Sequence, residues 1–220
     1  MEYDSIYLSK QLRCPAGAEA RQIGVNMFQS NSNMIFETIK ALNIRPHTRV
    51  FEIGFGNGMH LSYLFEKENT LIYEGIDISQ AMVEEANKNN DALVKSGRVA
   101  FKHTAESESL SAPDSSFVYC FSANTLYFWN NPQKYFDEIY RILDEDGLLA
   151  ISFITKSFGD KLSFTQTGFT FYEIEEVEVF LTNSGFGNIQ SVILTENTIS
   201  KDGQKVLRPF VIMTATKDQY

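Results

Sequence analysis

One segment near residue 50 constrains the fold of this chain more than any other. Residues 50–58 read VFEIGFGNG, an apolar strand followed by glycines at three alternate positions, Gly54, Gly56 and Gly58. Glycine permits a sharp backbone turn and leaves room for a ligand, because it has no Cβ. A helix that begins just beyond the turn presents unpaired N–H groups. The segment therefore predicts a strand–turn–helix unit that binds the polar part of a nucleotide-like cofactor, and a tight turn without a ligand is the alternative.

The composition predicts a soluble globular domain and disfavours two classes of partner. The 220 residues, 43% hydrophobic and 21% charged, are enough for one ordinary domain with a full core. A net charge of −9 disfavours nucleic acid, and no apolar run approaches the roughly 20 residues that span a bilayer. With two cysteines and no signal-peptide pattern at the N-terminus, we expect a cytoplasmic, reduced protein.

Strands and helices alternate along most of the chain, which predicts a parallel sheet covered on both faces. We expect strands at residues 49–53, 70–77, 98–103, 116–121, 148–153, 189–194 and 206–216. We expect helices at residues 31–42, 58–66, 80–89 and 173–184, and one more that starts at Pro132 and stops at Gly147. Ser79 is the expected N-cap of the helix at 80–89. A short turn at 200–203 makes the last two strands antiparallel.

A carboxylate follows the second predicted strand. Asp77 lies nineteen residues beyond Gly58, at the carboxyl end of that strand. Ligands of open α/β sheets bind outside the carboxyl ends of the strands, and a carboxylate there can accept both hydroxyls of a ribose. Capping of the next helix is the alternative role for Asp77, although Ser79 suits that role at least as well.

The glycine spacing, together with three later loops, resembles one enzyme family. G-x-G-x-G preceded by Glu52 is similar to motif I of the class I S-adenosylmethionine-dependent methyltransferases, whereas dinucleotide folds carry G-x-G-x-x-G. Residues 75–79 (GIDIS) are similar to the second motif of that family. Residues 122–129 (SANTLYFW) and 141–147 (RILDEDG) resemble the type-11 small-molecule group, with acids in place of the usual Lys-Pro of the second segment. The resemblance covers residues 49–153.

The resemblance implies a cofactor, S-adenosyl-L-methionine, which becomes S-adenosyl-L-homocysteine, and a set of residues that contact it. Ile78 is expected to pack on the adenine, and the loop after the third strand to read the adenine edge. That loop reads Thr-Ala-Glu, shifted by one residue from the usual Gly-Asp-Ala. The predicted cofactor-binding residues are Glu52, Gly54, Phe55, Gly56, Gly58, Asp77, Ile78, Thr104, Ala105, Glu106 and Ser122. Glu52 is expected to hold the cofactor end or the N–H groups of the loop, and a structural cap is its alternative role.

The resemblance also implies a single methyltransferase domain over residues 1–220 with a Rossmann-like, doubly wound, mostly parallel seven-stranded sheet and a C-terminal antiparallel hairpin strand. We expect a helical cap or lid at residues 1–45 and a cofactor-binding core at 46–155. Residues 156–220 are expected to supply a lid insertion, the last helix and the hairpin. The region 11–32 and the aromatic residues between 158 and 172 are candidate lids, and plain packing of a long loop is the alternative.

The acceptor is expected to be a partly apolar small molecule that attacks the cofactor methyl in line. Asn124, Tyr127 and Phe169 are the predicted substrate contacts, and Tyr127 is the one candidate for a catalytic group. The three histidines, His47, His60 and His103, are interpreted as structural or exposed, and their spacing predicts no metal site.

Two other functions remain open from the sequence. A nicotinamide-dependent oxidoreductase shares the sheet, the glycine turn and the ribose acid, and the chain carries a Tyr-x-x-x-Lys pair at Tyr63 and Lys67. That pair lies on the first helix after the glycines, whereas short-chain dehydrogenases carry theirs much later. The second alternative is a binding or interaction protein that keeps the cofactor fold without turnover.

Overall fold

Seven strands form one sheet in the computed structural model, which describes residues 5–105, 109–199 and 205–218. The strands are β1 (Arg49–Ile53), β2 (Ile72–Asp77), β3 (Val99–His103), β4 (Phe117–Ala123), β5 (Leu143–Phe153), β6 (Gly187–Ile199) and β7 (Lys205–Thr216). Their order is β3-β2-β1-β4-β5-β7-β6. Strands β1 to β5 pair in parallel, and β7 lies antiparallel between β5 and β6. This confirms the predicted seven-stranded α/β fold with its antiparallel hairpin; the turn expected at 200–203 lies outside the described residues.

Eight helices accompany the sheet in the described part of the chain. They are α1 (Ser5–Arg13), α2 (Ala20–Leu42), α3 (Leu61–Lys67), α4 (Gln80–Asn89), α5 (Asp91–Lys95), α6 (Pro132–Ile142), α7 (Lys156–Gly159) and α8 (Ile174–Asn183). The Ser79 hydroxyl accepts the N–H of Met82 at 3.2 Å, so the predicted cap of α4 is confirmed. Within the described residues, no helix is long and apolar enough to cross a membrane.

Helix α2 begins eleven residues earlier than the sequence pattern predicted. The stretch from residue 20 is rich in Gln and Asn, yet Ala20, Ile23 and Gly24 are buried and continue the apolar stripe that leads to Met34. Burial of this stripe outweighs the weak helix propensity of the polar residues between its members. The region that was expected to be a lid is therefore helical over most of its length.

The prediction that Gly147 ends a helix is wrong. Helix α6 ends at Ile142, and β5 begins at the next residue, because the fully buried Leu143 already pairs with Phe117 of β4. The pairing register shifts between Phe117 and Tyr119, and Asp146 adopts a left-handed conformation with φ 60°. The acidic residues 144–146, which the sequence pattern assigned to the end of a helix, thus lie in a β-bulge of β5.

The apolar side chains form two buried clusters, and the strands alternate between them. In β5, Leu149, Ile151 and Phe153 belong to one cluster, whereas Ala150 belongs to the other. Helices α6 and α8 contribute to the first cluster, and α3 and α4 contribute to the second. Successive residues of a strand point to opposite faces, so the two clusters are the cores on the two faces of the sheet.

The order of the strands in the sheet switches sides at β1, so β1 and β4 form a topological switch point. Strands β2 and β3 extend the sheet on one side of β1, and β4 and β5 extend it on the other. Ligands of such sheets bind in the crevice at this switch point, outside the carboxyl ends of the strands. Gly54, Asp77 and Asn124 follow β1, β2 and β4 respectively, or end them, so they share this edge.

A pair of Leu→Ala substitutions tests how α3 is anchored beneath the glycine turn. Leu64 in α3 is fully buried, so Leu64→Ala removes packed methyl groups and leaves a cavity. We expect the free energy of unfolding to fall by about 2–5 kcal/mol, measured by urea denaturation. Leu207 in β7 is 61% exposed, and Leu207→Ala is expected to change it by no more than about 0.5 kcal/mol. Equal losses in the two variants would contradict the core assignment.

Candidate active site

Two neighbouring cavities open at the carboxyl edge of the sheet. The first encloses about 1090 Å³, including its open mouth, and is bounded by the loops that follow β1, β2 and β4. The second encloses about 780 Å³ and lies toward the segment between β5 and α8. They share five lining residues, which are Leu12, Met27, Asn31, Asn124 and Phe128. The two cavities are therefore neighbours with a common boundary.

The three glycines of the turn have positive φ angles of 78°, 58° and 67°, and each is needed for a different reason. A Cβ on Gly54 would collide with the side chain of Thr125, and a Cβ on Gly58 would approach Asn90 and Ala86 within 3.0 Å. Both positions therefore let neighbouring segments pack closely. A Cβ on Gly56 would meet no atom within 4 Å, because Gly56 faces the open first cavity. Gly54 also lines that cavity, whereas Gly58 does not.

Asp77 lies beside Gly56 in the wall of the first cavity. One carboxylate oxygen accepts the N–H of Gly56 at 2.9 Å, and the other accepts the N–H of Ser79 at 2.8 Å. Burial raises the pKa of Asp77 to about 6, and the two N–H donors partly offset that rise. Each oxygen keeps a further lone pair, so this carboxylate can accept hydroxyl groups of a bound ligand.

Glu52 is buried and belongs to a network that the sequence patterns did not reveal. It accepts a hydrogen bond from the Tyr73 hydroxyl and lies 2.8 Å from Nε2 of His60. Burial, with the charge of Glu52, holds the pKa of Tyr73 well above its usual range, so this hydroxyl stays protonated and donates. Both Glu52 and His60 line the first cavity. The structural interpretation of His60 missed this, since no short motif couples a glutamate to a histidine eight residues later.

Asn57 is a second residue that sequence reasoning missed, although it lies within the glycine loop. Its side chain is 5% exposed and lines the first cavity. The Oδ1 atom accepts the N–H of Met59 at 3.3 Å, but Nδ2 has no hydrogen-bond partner among the described residues. A buried amide donor without a partner is costly, so it fits a site that a polar ligand completes.

The remaining predicted cofactor contacts divide into three groups. Phe55, Ile78 and Thr104 line the first cavity, although the ring of Phe55 also packs on Phe101 at 4.8 Å between ring centroids. Ala105 is exposed and does not line it, and Glu106 lies outside the described residues. Ser122 is buried beneath the site, where its hydroxyl donates to the carbonyl oxygen of Ile53 at 2.8 Å.

The three predicted substrate contacts meet at the second cavity. Asn124 lines both cavities in a left-handed conformation with φ 62°, and Tyr127 and Phe169 line the second. The Tyr127 hydroxyl donates to Oδ1 of Asn124 at 2.9 Å and accepts the N–H of Ile154 at 2.5 Å. Burial raises the pKa of Tyr127 far above neutrality, so the hydroxyl keeps its proton.

The N-terminal segment contacts the loop after β4 and the segment between β5 and α8 around the two cavities. Ser79 donates to the carbonyl oxygen of Pro15, and Ser9 donates to that of Thr167 at 2.6 Å. Arg13 contacts the loop after β4 through the Asn130 side chain at 3.1 Å. Of the predicted lid aromatics, Phe158, Phe164, Phe169 and Phe171 line the second cavity, and Tyr172 does not.

Comparisons with known proteins match this architecture. Residues 51–151 match the family Methyltransf_11, described as a methyltransferase domain. The chain is 29% identical over 164 residues to YdaC of Bacillus subtilis, an uncharacterized methyltransferase, and the match covers 69% of this chain and 88% of YdaC. It is 25% identical over 169 residues to phosphoethanolamine N-methyltransferase 1 of Zea mays, which covers 74% of this chain but only 33% of the maize enzyme.

A solved structure supports the fold over nearly the whole chain. Phosphoethanolamine N-methyltransferase 2 of Haemonchus contortus, in complex with phosphomonomethylethanolamine and S-adenosylhomocysteine, superposes with a TM-score of 0.70. The match covers 99% of this chain and 61% of that one, at 15% identity. The glycine loop, the strand order and the family match at residues 51–151 together support a class I S-adenosylmethionine-dependent methyltransferase of type 11.

Proposed function

We propose that this protein transfers the methyl group of S-adenosylmethionine to a small-molecule acceptor, with cofactor in the first cavity and acceptor in the second. The observation that carries the proposal is the boundary that the two cavities share, where Asn124 and Phe128 line both. A methyl transfer needs its two reactants in contact and in line, and separate cavities with one common boundary supply that arrangement. The two phosphoethanolamine methyltransferases, by their names, act on a small molecule, which supports this class of acceptor.

Within the first cavity, each lining group has a proposed role. Asp77 accepts the ribose hydroxyls, Ile78 packs on the adenine, and Thr104 lies at the adenine edge. The free Nδ2 of Asn57 and the carboxylate of Glu52 serve the polar amino-acid end. The open space at Gly56 is the room that the ligand fills.

The cofactor supplies an electrophilic methyl group on its sulfonium, so the protein has to align the acceptor and exclude water. The segments at Pro15, Asn130 and Thr167 close over the cavities and serve the second purpose. We assign Tyr127 a positioning role, because its protonated hydroxyl holds Oδ1 of Asn124 and is itself held by the Ile154 N–H. This role differs from the catalytic one for which the sequence made Tyr127 a candidate.

Net charge and cysteine content support two further parts of the proposal, the class of acceptor and the location of the protein. A net charge of −9 opposes the binding of nucleic acid, which supports a small acceptor. Cys120 is buried and unpaired, and neither cysteine forms a disulfide. We propose a cytoplasmic location on these grounds.

Calorimetric titration with S-adenosylmethionine and S-adenosylhomocysteine, followed by a methyl-transfer assay with small-molecule acceptors, tests the proposed function. We expect micromolar binding of both and transfer to at least one acceptor. Binding without transfer to any acceptor would favour a non-catalytic role, and NADH binding in place of both ligands would overturn the proposal.

Two glycine substitutions test whether the space at Gly56 belongs to the cofactor. Gly56 and Gly97 both have positive φ, at 58° and 75°, and a Cβ on either meets no protein atom within 4 Å. Gly56→Ala and Gly97→Ala therefore carry a similar backbone strain of about 1–2 kcal/mol. Only the first puts a methyl group in the first cavity, so we expect its affinity for S-adenosylhomocysteine to fall by about tenfold or more while Gly97→Ala keeps native affinity. Equal affinity in both variants would contradict the glycine-loop assignment.

The affinity for S-adenosylhomocysteine is expected to depend on the ionisation of Asp77. Because the pKa of Asp77 is raised to about 6, the carboxylate is protonated at pH 5 and loses acceptor capacity for hydroxyl groups. Affinity should therefore rise from pH 5 to pH 7.5 by about tenfold and level off above that, as measured by calorimetry.

Two substitutions complete the test of Asp77. Asp77→Ala should weaken binding by about 1–3 kcal/mol and remove most of the pH dependence. Asp91→Ala on α5 is the control, because Asp91 is exposed and pairs only with Lys95 among the described residues. Native affinity and an unchanged pH profile in a folded Asp77→Ala variant would exclude a ribose contact.

A further inference from the structure

The second cavity has an aromatic wall. Phe128 and Phe169 approach to 4.8 Å between ring centroids, and Tyr127 and Phe171 approach to 4.6 Å, in tilted arrangements. Phe164 meets Phe169 edge-on at 6.2 Å. These residues come from two loops about forty positions apart, and the cavity gathers their rings on one side. Such a wall favours a flat apolar guest, because rings gain contact area and edge-to-face attraction together.

The one charged residue in the described lining of the second cavity, Arg208, is paired with a carboxylate. Among the described residues that line the second cavity, Arg208 alone is charged. Its side chain is 13% exposed, and its Nε donates to Oε1 of the buried Glu196 at 2.8 Å. Its Nη2 donates to the carbonyl oxygen of Ser30 at 2.8 Å and to Oδ1 of Asn31 at 3.0 Å. Arg208 therefore links the hairpin to α2, and its positive charge is paired with the carboxylate of Glu196.

A phosphorylated acceptor does not fit this electrostatic environment. A phosphate monoester carries close to two negative charges at neutral pH, and burial of such charge is costly unless cations compensate it. Arg208 lines the second cavity, but its guanidinium is already in an ion pair with the carboxylate of Glu196, which reduces its attraction for a second anion. The chain keeps the fold of the phosphoethanolamine methyltransferases, but the described part of this cavity offers no spare positive charge.

The side chain of Asn124, at the boundary between the cavities, indicates which polar group a ligand should place there. Oδ1 of Asn124 already has a partner in the Tyr127 hydroxyl, whereas its Nδ2 donor is open to a ligand. No described residue accepts a hydrogen bond from that Nδ2. The ligand group at the boundary should therefore be a hydrogen-bond acceptor, such as a neutral oxygen or nitrogen.

We propose that the acceptor is an uncharged aromatic molecule whose ring lies against the aromatic wall and whose one oxygen or nitrogen lies beside Asn124. This inference rests on the proposed function and narrows it to a substrate class. A lone pair of that oxygen or nitrogen forms the new bond to the methyl carbon as the carbon–sulfur bond breaks. The bonding electrons go to sulfur, which becomes the neutral thioether, and the proton of an O–H or N–H acceptor passes to solvent.

A matched pair of probes tests this class on the native protein. We would saturate the protein with S-adenosylhomocysteine and then titrate it with 2-naphthol or with 2-naphthyl phosphate at pH 7.5, by calorimetry. The two probes share the ring system and differ in charge. We expect 2-naphthol to bind about tenfold or more tightly than its phosphate ester, and phosphoethanolamine not to bind. Equal or tighter binding of 2-naphthyl phosphate, or no binding of 2-naphthol, would overturn the proposal.

A substitution tests the electrostatic cause. Glu196→Gln keeps the shape of the side chain but removes the charge that neutralises Arg208. We expect the affinity for 2-naphthyl phosphate to rise by about tenfold, with little change for 2-naphthol. Glu175→Gln on the exposed face of α8 makes the same change of charge away from the cavity and should leave both affinities unchanged. The same response in both variants would refute a role for Glu196 in excluding anions.

Titration of every sample with S-adenosylhomocysteine alone distinguishes a failure of the proposed substrate class from a failure of the proposed function. If this ligand binds and 2-naphthol does not, the substrate class is wrong while the proposed function stands. If neither binds, the proposed function itself fails. Because the probe comparison uses the native protein, a folding defect in Glu196→Gln would not remove the test.

Discussion

The backbone turn at Gly54 to Gly58 is the constraint on which the rest of the site depends. It is held from two sides, since Thr125 of the β4 loop leaves no room for a Cβ at Gly54, and Ala86 of α4 leaves none at Gly58. The turn therefore fixes how closely β4 and α4 approach β1. The first cavity lies beside this turn, and Gly56 is the position of the turn at which a Cβ would meet no protein atom.

Two buried carboxylates lie next to this turn, and hydrogen-bond donors make their burial tolerable. Asp77 accepts hydrogen bonds from the N–H groups of Gly56 and Ser79. The glycine turn and the start of α4 orient these two N–H groups toward the carboxylate. Glu52 uses the side chains of Tyr73 and His60 instead. Asp77 is held by backbone donors, whereas the side-chain partners of Glu52 also connect β1 to β2 and to the start of α3.

Much of the fold could be predicted from local patterns, and the failures share one cause. The bounds of β1 and of α4 matched the sequence patterns, because apolar alternation and the Ser79 cap are local signals. The start of α2 and the end of α6 did not, because tertiary burial decided both. Leu143 pairs with β4 before the acidic residues that follow it can extend a helix, and Ile23 is buried within a stretch of polar composition. Similarly, Asn57 and His60 joined the site through contacts that no spacing rule encodes.

The sequence by itself determined the sheet, the glycine turn and the carboxylate at the end of β2, since each follows from short-range periodicity and turn chemistry. Only the tertiary structure decided that Leu12, Asn124 and Phe169 lie around two neighbouring cavities, and that Glu196 pairs with Arg208. A cavity is formed by residues more than a hundred positions apart, and its polarity depends on which side chains are paired. Those pairings depend on how distant segments pack, which a sequence pattern does not encode.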